Sequence, residues 1–93
     1  MTPEEEIRRG SRAKQVLDNE IYQESFTLVR DRLISLLESA DLDADKRARV
    51  NDLLVQHRKA RQYLEQVMQG GKMAAEQIER DKKLGERVRE RFM

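Results

Sequence analysis

Ninety-three residues, 38% hydrophobic and 40% charged, make one domain at most and leave little material for a core. Nineteen Lys and Arg against eighteen Asp and Glu give a net charge of +1, which argues against a dedicated polyanion binder driven by bulk electrostatics. The absence of cysteine excludes disulfides, zinc-thiolate sites and thiol catalysis, and the start Met-Thr-Pro-Glu-Glu-Glu has no apolar segment of the kind that export signals or membrane spans require. These features predict a protein that is cytosolic when made.

The first helix is expected over residues 3–18. Thr2 is a good N-cap, Pro3 suits the first helical position, and Glu5 stands three residues after the cap, as in a capping box. Its apolar residues Ile7, Ala13, Val16, Leu17 and Ile21 form a weak stripe, and Gly10 and Ser11 weaken the helix by up to about 1 kcal/mol relative to alanine. Asp18 and Asn19 are both capping residues, so a kink or short break is expected before a second helix from about residue 20 to Ala40.

In that second helix Tyr22, Phe26, Val29, Leu33, Leu36 and Ala40 alternate by four and three, the spacing of a helix packing along one seam. The segment 39–45 carries Asp41, Asp43 and Asp45, residues that turn the chain and cap a new helix near Ala44, with Leu42 folding back over the end of the seam. A second ladder follows in Val50, Leu53, His57, Ala60, Leu64 and Val67. The two ladders predict an all-α chain built on an antiparallel, coiled-coil-like helical hairpin over 20–69, flanked by the N-terminal helix and a C-terminal one. The implied register sets Leu36 near Val50, Leu33 near Leu53, Val29 near His57, Phe26 near Ala60 and Tyr22 near Leu64, with small Ala60 facing bulky Phe26.

Gly70 and Gly71 are expected to end the third helix, since glycine readily adopts the left-handed conformation of helix ends. Residues 72–93 then form a charged helix or tail, in which Met73, Ile78, Leu84, Val88 and Phe92 are spread among many charges, a composition suited to docking on a partner. Beside the seam, Ile34, Leu37, Leu54 and Met68 widen the apolar surface into a flank, the candidate protein interface. A hairpin offers each helix one buried stripe, so self-association into a homo-oligomer is expected.

No residue pattern points to catalysis. His57 is the single histidine and falls on the seam, where it reads as a packed ring with its nitrogens on a carboxylate or water; without cysteine or a second histidine it forms no conventional zinc site in one chain. Ser11, Ser25, Ser35 and Ser39 lack a nucleophile motif, and Gly70-Gly71-Lys72 lacks the upstream glycine and the hydroxyl residue of a phosphate loop. No cofactor or metal is expected. Arg8, Arg9 and Arg12 on the first helix are the candidate DNA contact, joined by Arg47, Arg58, Lys59 and Arg61 on the third helix and by the basic residues of the tail. Acidic residues are interleaved at helical spacing, as in Glu5 with Arg9, Glu76 with Arg80 and Glu79 with Lys83, and favour reading most of these charges as solvated ion-pairing faces.

Arg9-Gly-Ser-Arg-Ala-Lys-Gln-Val-Leu-Asp-Asn-Glu, Phe26 within a long helix, and Gly71-Lys-Met-Ala-Ala-Glu-Gln-Ile together resemble a group of short helical tailed-bacteriophage proteins encoded among head-assembly and DNA-packaging genes. The resemblance spans roughly residues 9 to 78 and implies a role in virion morphogenesis, in the host cytoplasm or within the particle, with phage structural or packaging proteins as partners. It brings no catalytic residues. Where members of that group carry tryptophan and proline around the turn, this chain has Asp41, Asp43 and Asp45. The leading expectation is a non-enzymatic protein acting through protein contacts in head or connector assembly. The alternatives are a small-terminase-like packaging subunit that binds DNA as an oligomer, and a small inhibitor of a host protein.

Overall fold

The computed structural model describes residues 1–92 as three helices, α1 Pro3–Asp18, α2 Glu20–Leu37 and α3 Ala44–Phe92. Each start is capped as its sequence suggests. Thr2 Oγ1 accepts from Glu5 N at 3.2 Å, Asn19 Oδ1 from Tyr22 N at 2.9 Å and Asp43 Oδ1 from Lys46 N at 2.8 Å. The break between α1 and α2 is a single extended residue, Asn19, whose side chain opens α2 while its N–H closes α1 on Val16 O. Gln23 Nε2 donates back to Leu17 O at 2.9 Å and ties the two helices across the break. α2 stops at Leu37, three residues before the expected Ala40, and Leu42 is half-buried in the turn.

α1 and α2 together run antiparallel to α3. Gly10 meets Gly71, the Phe26 ring stacks on His57, and Arg47 Nη1 donates to Leu37 O at 2.7 Å, so positions rise on one arm as they fall on the other. The hairpin therefore has one broken arm and one continuous arm. At about 1.5 Å per residue the 49 residues of α3 account for most of the 77 Å long dimension. The radius of gyration, 21.1 Å, compares with about 12 Å for a compact domain of this length.

Gly70 and Gly71 do not end a helix. α3 passes straight through them, and no glycine among the described residues has a positive φ. Gly71 serves a different need, close approach. A Cβ on Gly10 would lie 2.8 Å from Gly71 Cα and 3.2 Å from Val67 O, and one on Gly71 would lie 2.9 Å from Gly10 Cα and 3.0 Å from Glu6 O. Together with buried Ala13 and Ala74, the two glycines make a crossing where backbone packs on backbone.

The seam between α2 and α3 is rotated from the expected one. Tyr22, Phe26, Leu33 and Leu37 on α2 face Val50, Leu54, His57, Arg61 and Leu64 on α3 at buried or half-buried positions. Val29, Leu36, Leu53 and Ala60, expected within the seam, are exposed. His57 stacks on Phe26 rather than meeting Val29, and Phe26 lies between His57 and Arg61. The cause is geometric. A straight helix drifts about 20° per heptad from a 3.5-residue repeat, and the apolar stripe on each helix is wider than one neighbour can cover. Leu37 therefore turns inward where the alternating ladder chose Leu36.

Leu33→Asp is expected to cost about 2 to 4 kcal/mol, because it places a charge in the half-buried seam, whereas Arg58→Asp on an exposed position should change stability by less than about 0.5 kcal/mol. Urea titration followed by circular dichroism separates the two, and equal damage would refute this seam.

Candidate functional site

The end of α3 is built differently from the rest. Gly10 sits against Gly71 and α1 begins at Pro3, so antiparallel pairing uses up α1 near residue 78 of α3. Every residue from 79 to 92 is exposed, a helical overhang of roughly 20 Å at 1.5 Å per residue. Leu84, Val88 and Phe92 fall at i, i+4 and i+8 and so line one stripe of it. Their exposures reach 61% at Leu84 and 86% at Phe92. Leu84 and Val88 share a shallow concave surface with Arg87, Glu90 and Arg91. From Glu79 to Phe92 six basic residues stand against four acidic ones, a local charge of +2. An apolar stripe of this spacing edged by arginines is the pattern by which a helix enters an apolar groove with an acidic rim.

The expected ion pairs of Glu5 with Arg9, Glu76 with Arg80 and Glu79 with Lys83 do not form. The pairs within 4 Å among the described residues are Lys14–Asp18, Arg30–Asp31 and Arg61–Glu65, all on exposed surface where each contributes little. Arg80 donates instead to Gln77 Oε1, and Arg9 reaches across to Tyr63 Oη at 3.2 Å. That last contact ties the outer face of α1 to α3. Arg8, Arg9 and Arg12, the candidate DNA contact, do share one face of α1, lining a shallow surface together with Glu5. Arg9 donates to Tyr63 Oη within the chain, and all three arginines are exposed.

His57 is half-buried with its ring stacked on Phe26 at 4.2 Å between centroids. Its Nε2 lies 2.8 Å from Phe26 O, and since a carbonyl only accepts, Nε2 carries the hydrogen. The nitrogen finds a backbone carbonyl, where a carboxylate or water was expected. On the other side the Arg61 guanidinium lies 4.8 Å from the Phe26 centroid. The histidine belongs to the packing of the seam, and no group of three or more His, Asp or Glu gathers as a metal would need among the described residues.

The four residues of the expected protein interface are divided. Leu37, Leu54 and Met68 are half-buried within the chain, Met68 beside Ile7, Gly10 and Gly71, while Ile34 is exposed on the edge of α2. Sequence reasoning expected a charged, partner-docking helix at 72–93 but missed its continuity with α3, and it missed the glycine crossing. The signal for the crossing was Gly10 with Ala13 and Gly71 with Ala74, the same i, i+3 pair of small residues on two antiparallel segments.

No helix among the described residues is long and apolar enough to cross a membrane. Comparison with known proteins brings no likeness to bear: no family model, no curated protein and no solved structure matches the chain.

Proposed function

We propose that this chain is a non-enzymatic morphogenesis protein of a tailed bacteriophage, made in the host cytoplasm and carried into the particle, acting through protein contacts in head or connector assembly. The observation that supports the reading is the overhang of α3, an exposed helix with an apolar stripe of Leu84, Val88 and Phe92 held away from the hairpin. An isolated helix of this length is marginal in water, so a stretch that carries so much apolar surface gains by docking in another protein's groove. The tailed-phage assignment itself rests on the resemblance of residues 9 to 78 to proteins encoded among head-assembly and packaging genes.

Deleting residues 79–92 is expected to leave the hairpin folded, because none of its buried residues lies there, and to abolish incorporation into purified particles. A truncated protein that remains stoichiometric in particles would remove the docking role from the overhang. Recovery of a host enzyme, and no phage protein, on the intact chain would replace the reading with that of an inhibitor.

A second reading, a packaging subunit that binds DNA, is favoured by one observation, the shared face of Arg8, Arg9 and Arg12 on α1. If these three side chains each neutralise a phosphate, affinity for a DNA duplex falls about 40-fold between 50 and 200 mM salt, and replacing all three by alanine removes that slope. Fluorescence anisotropy on a labelled duplex measures it, and a salt-insensitive signal would end the packaging reading.

A further inference from the structure

The hairpin has two flanks of opposite character. At 100° per residue Val29 and Leu36 lie about 50° to 70° to one side of the buried stripe of α2, and Leu53 and Ala60 lie about 60° to 80° to the same rotational side of the buried stripe of α3. Antiparallel helices reverse the sense of rotation seen from one end, so the four residues come together on one flank of the hairpin. The opposite flank carries Gln23, Arg30, Arg47, Asn51 and Arg58, with Ile34, 39% exposed, among them. On the apolar flank Val29 is 42% exposed, Leu36 49% and Leu53 56%. Ser25, Arg32, Arg49 and Gln56 lie farther round and supply the polar rim that surrounds an interface core.

We infer that this flank is covered by a second copy of the chain, two hairpins closing into a four-helix arrangement about a two-fold axis. The surface area argues for this occupant. The chain exposes 7787 Å², against about 5,600 Å² for a compact monomer of 11.0 kDa, an excess of roughly 2,200 Å². Obligate homodimers bury about 2,000 to 5,000 Å² in total, or about 1,000 to 2,500 Å² per copy, so an excess of this size leaves room for one such interface on the hairpin beside the exposed overhang. Within the single chain the buried hydrophobic residues are Ala13, Val50 and Ala74, and no large side chain is fully buried among the described residues. A fold this short of core gains most from the partner that is always at hand, its own copy.

The geometry also sets the register. Antiparallel pairing puts Leu53 at the level of Val29 to Asp31, midway between Leu36 at one end of the patch and Ala60 at the other. A two-fold axis through that middle, with the two hairpins crossing obliquely, brings Leu53 against its own equivalent and places Leu36 of each copy near Ala60 of the other, large against small. The inference does not depend on the phage reading, since it concerns only contacts between copies.

The chain has no cysteine, so a single introduced thiol reports on its own neighbourhood. Light scattering coupled to size exclusion is expected to give about 22 kDa, twice 11.0 kDa, at tens of micromolar. Leu53→Cys should form a covalent dimer on mild oxidation at least tenfold faster than Arg58→Cys on the polar flank, and Leu53→Asp should lower the mass to that of a monomer. Leu53 is mostly exposed in the single chain, and the crosslinking comparison uses a near-isosteric substitution in a folded protein. A monomeric mass for the unaltered chain, equal crosslinking at both positions, or a dimer indifferent to Leu53→Asp would each overturn the inference. The first would leave the flank to a different protein.

Discussion

Gly10→Ala is expected to lower the melting temperature by about 5 to 15 °C, although alanine is the better helix former by about 1 kcal/mol. The added methyl would stand 2.8 Å from Gly71 Cα and 3.2 Å from Val67 O, and both are backbone atoms of a continuous helix that has no rotamer to change. Relief requires α1 to move off α3, which loosens buried Ala13 and Ala74 and stretches the contact of Arg9 with Tyr63. Overpacking costs roughly 1 to 3 kcal/mol, and a clash with backbone on both sides belongs in the upper half of that range, above the gain in propensity. Gly70→Ala is the control. Nothing lies within 4 Å of the Cβ it would add, so the propensity gain stands alone and the melting temperature should rise by about 4 to 8 °C. Gly85→Ala meets open space as well, but it sits in the overhang and should raise helicity there without changing the main transition. Thermal melts followed at 222 nm decide the matter, and Gly10→Ala melting with Gly70→Ala would mean that the helices do not touch through their glycines.

These adjacent glycines also mark where the sequence could be read and where it could not. Local signals were legible. Thr2, Asn19 and Asp43 act through side-chain oxygens within three residues of their targets, so they locate the helix starts without any tertiary knowledge. The hairpin was legible as well, because two apolar ladders separated by an aspartate-rich turn have few other ways to bury themselves. The role of Gly71 depended on a residue 61 positions away, and a Gly-Gly pair carries the same local signal whether it ends a helix or admits a neighbour. Once the glycines are taken as a crossing, α3 has no reason to stop, and the separate tail becomes the overhang of one long helix. The seam misled for a related reason. Val29, Leu36, Leu33 and Leu37 are all apolar, so periodicity defined a broad stripe on α2, and only the placement of α3 decided which edge of it was covered. Of the candidate interface, Leu37, Leu54 and Met68 lay on the edge that the chain covers itself.

Phe26→Ala is expected to cost about 2 to 4 kcal/mol, the largest loss from any single truncation in the seam. The half-buried ring lies 4.2 Å from the His57 ring and 4.8 Å from the Arg61 guanidinium, with Tyr22 one turn earlier at 6.3 Å. Its area burial supplies about half of the loss, and the stacking and cation–π contacts add roughly 0.5 to 1.5 kcal/mol each. The backbone carbonyl of residue 26 survives the substitution, so the hydrogen bond from His57 Nε2 still has its acceptor. That separates two contributions which a histidine substitution alone would merge. His57→Phe keeps a ring for stacking and loses the donor, and should cost about 0.5 to 1.5 kcal/mol. His57→Ala loses both and, combined with Phe26→Ala, should show a coupling of about 0.5 to 1.5 kcal/mol, the part that belongs to the stacked pair. Urea unfolding of the four variants and the unaltered chain measures each quantity at one protein concentration, which has to be held fixed if folding and association are linked. Additive losses from Phe26→Ala and His57→Ala would mean that the rings pack independently, and the register of α2 against α3 would then have to rest on Leu33, Leu37, Val50 and Leu54 alone.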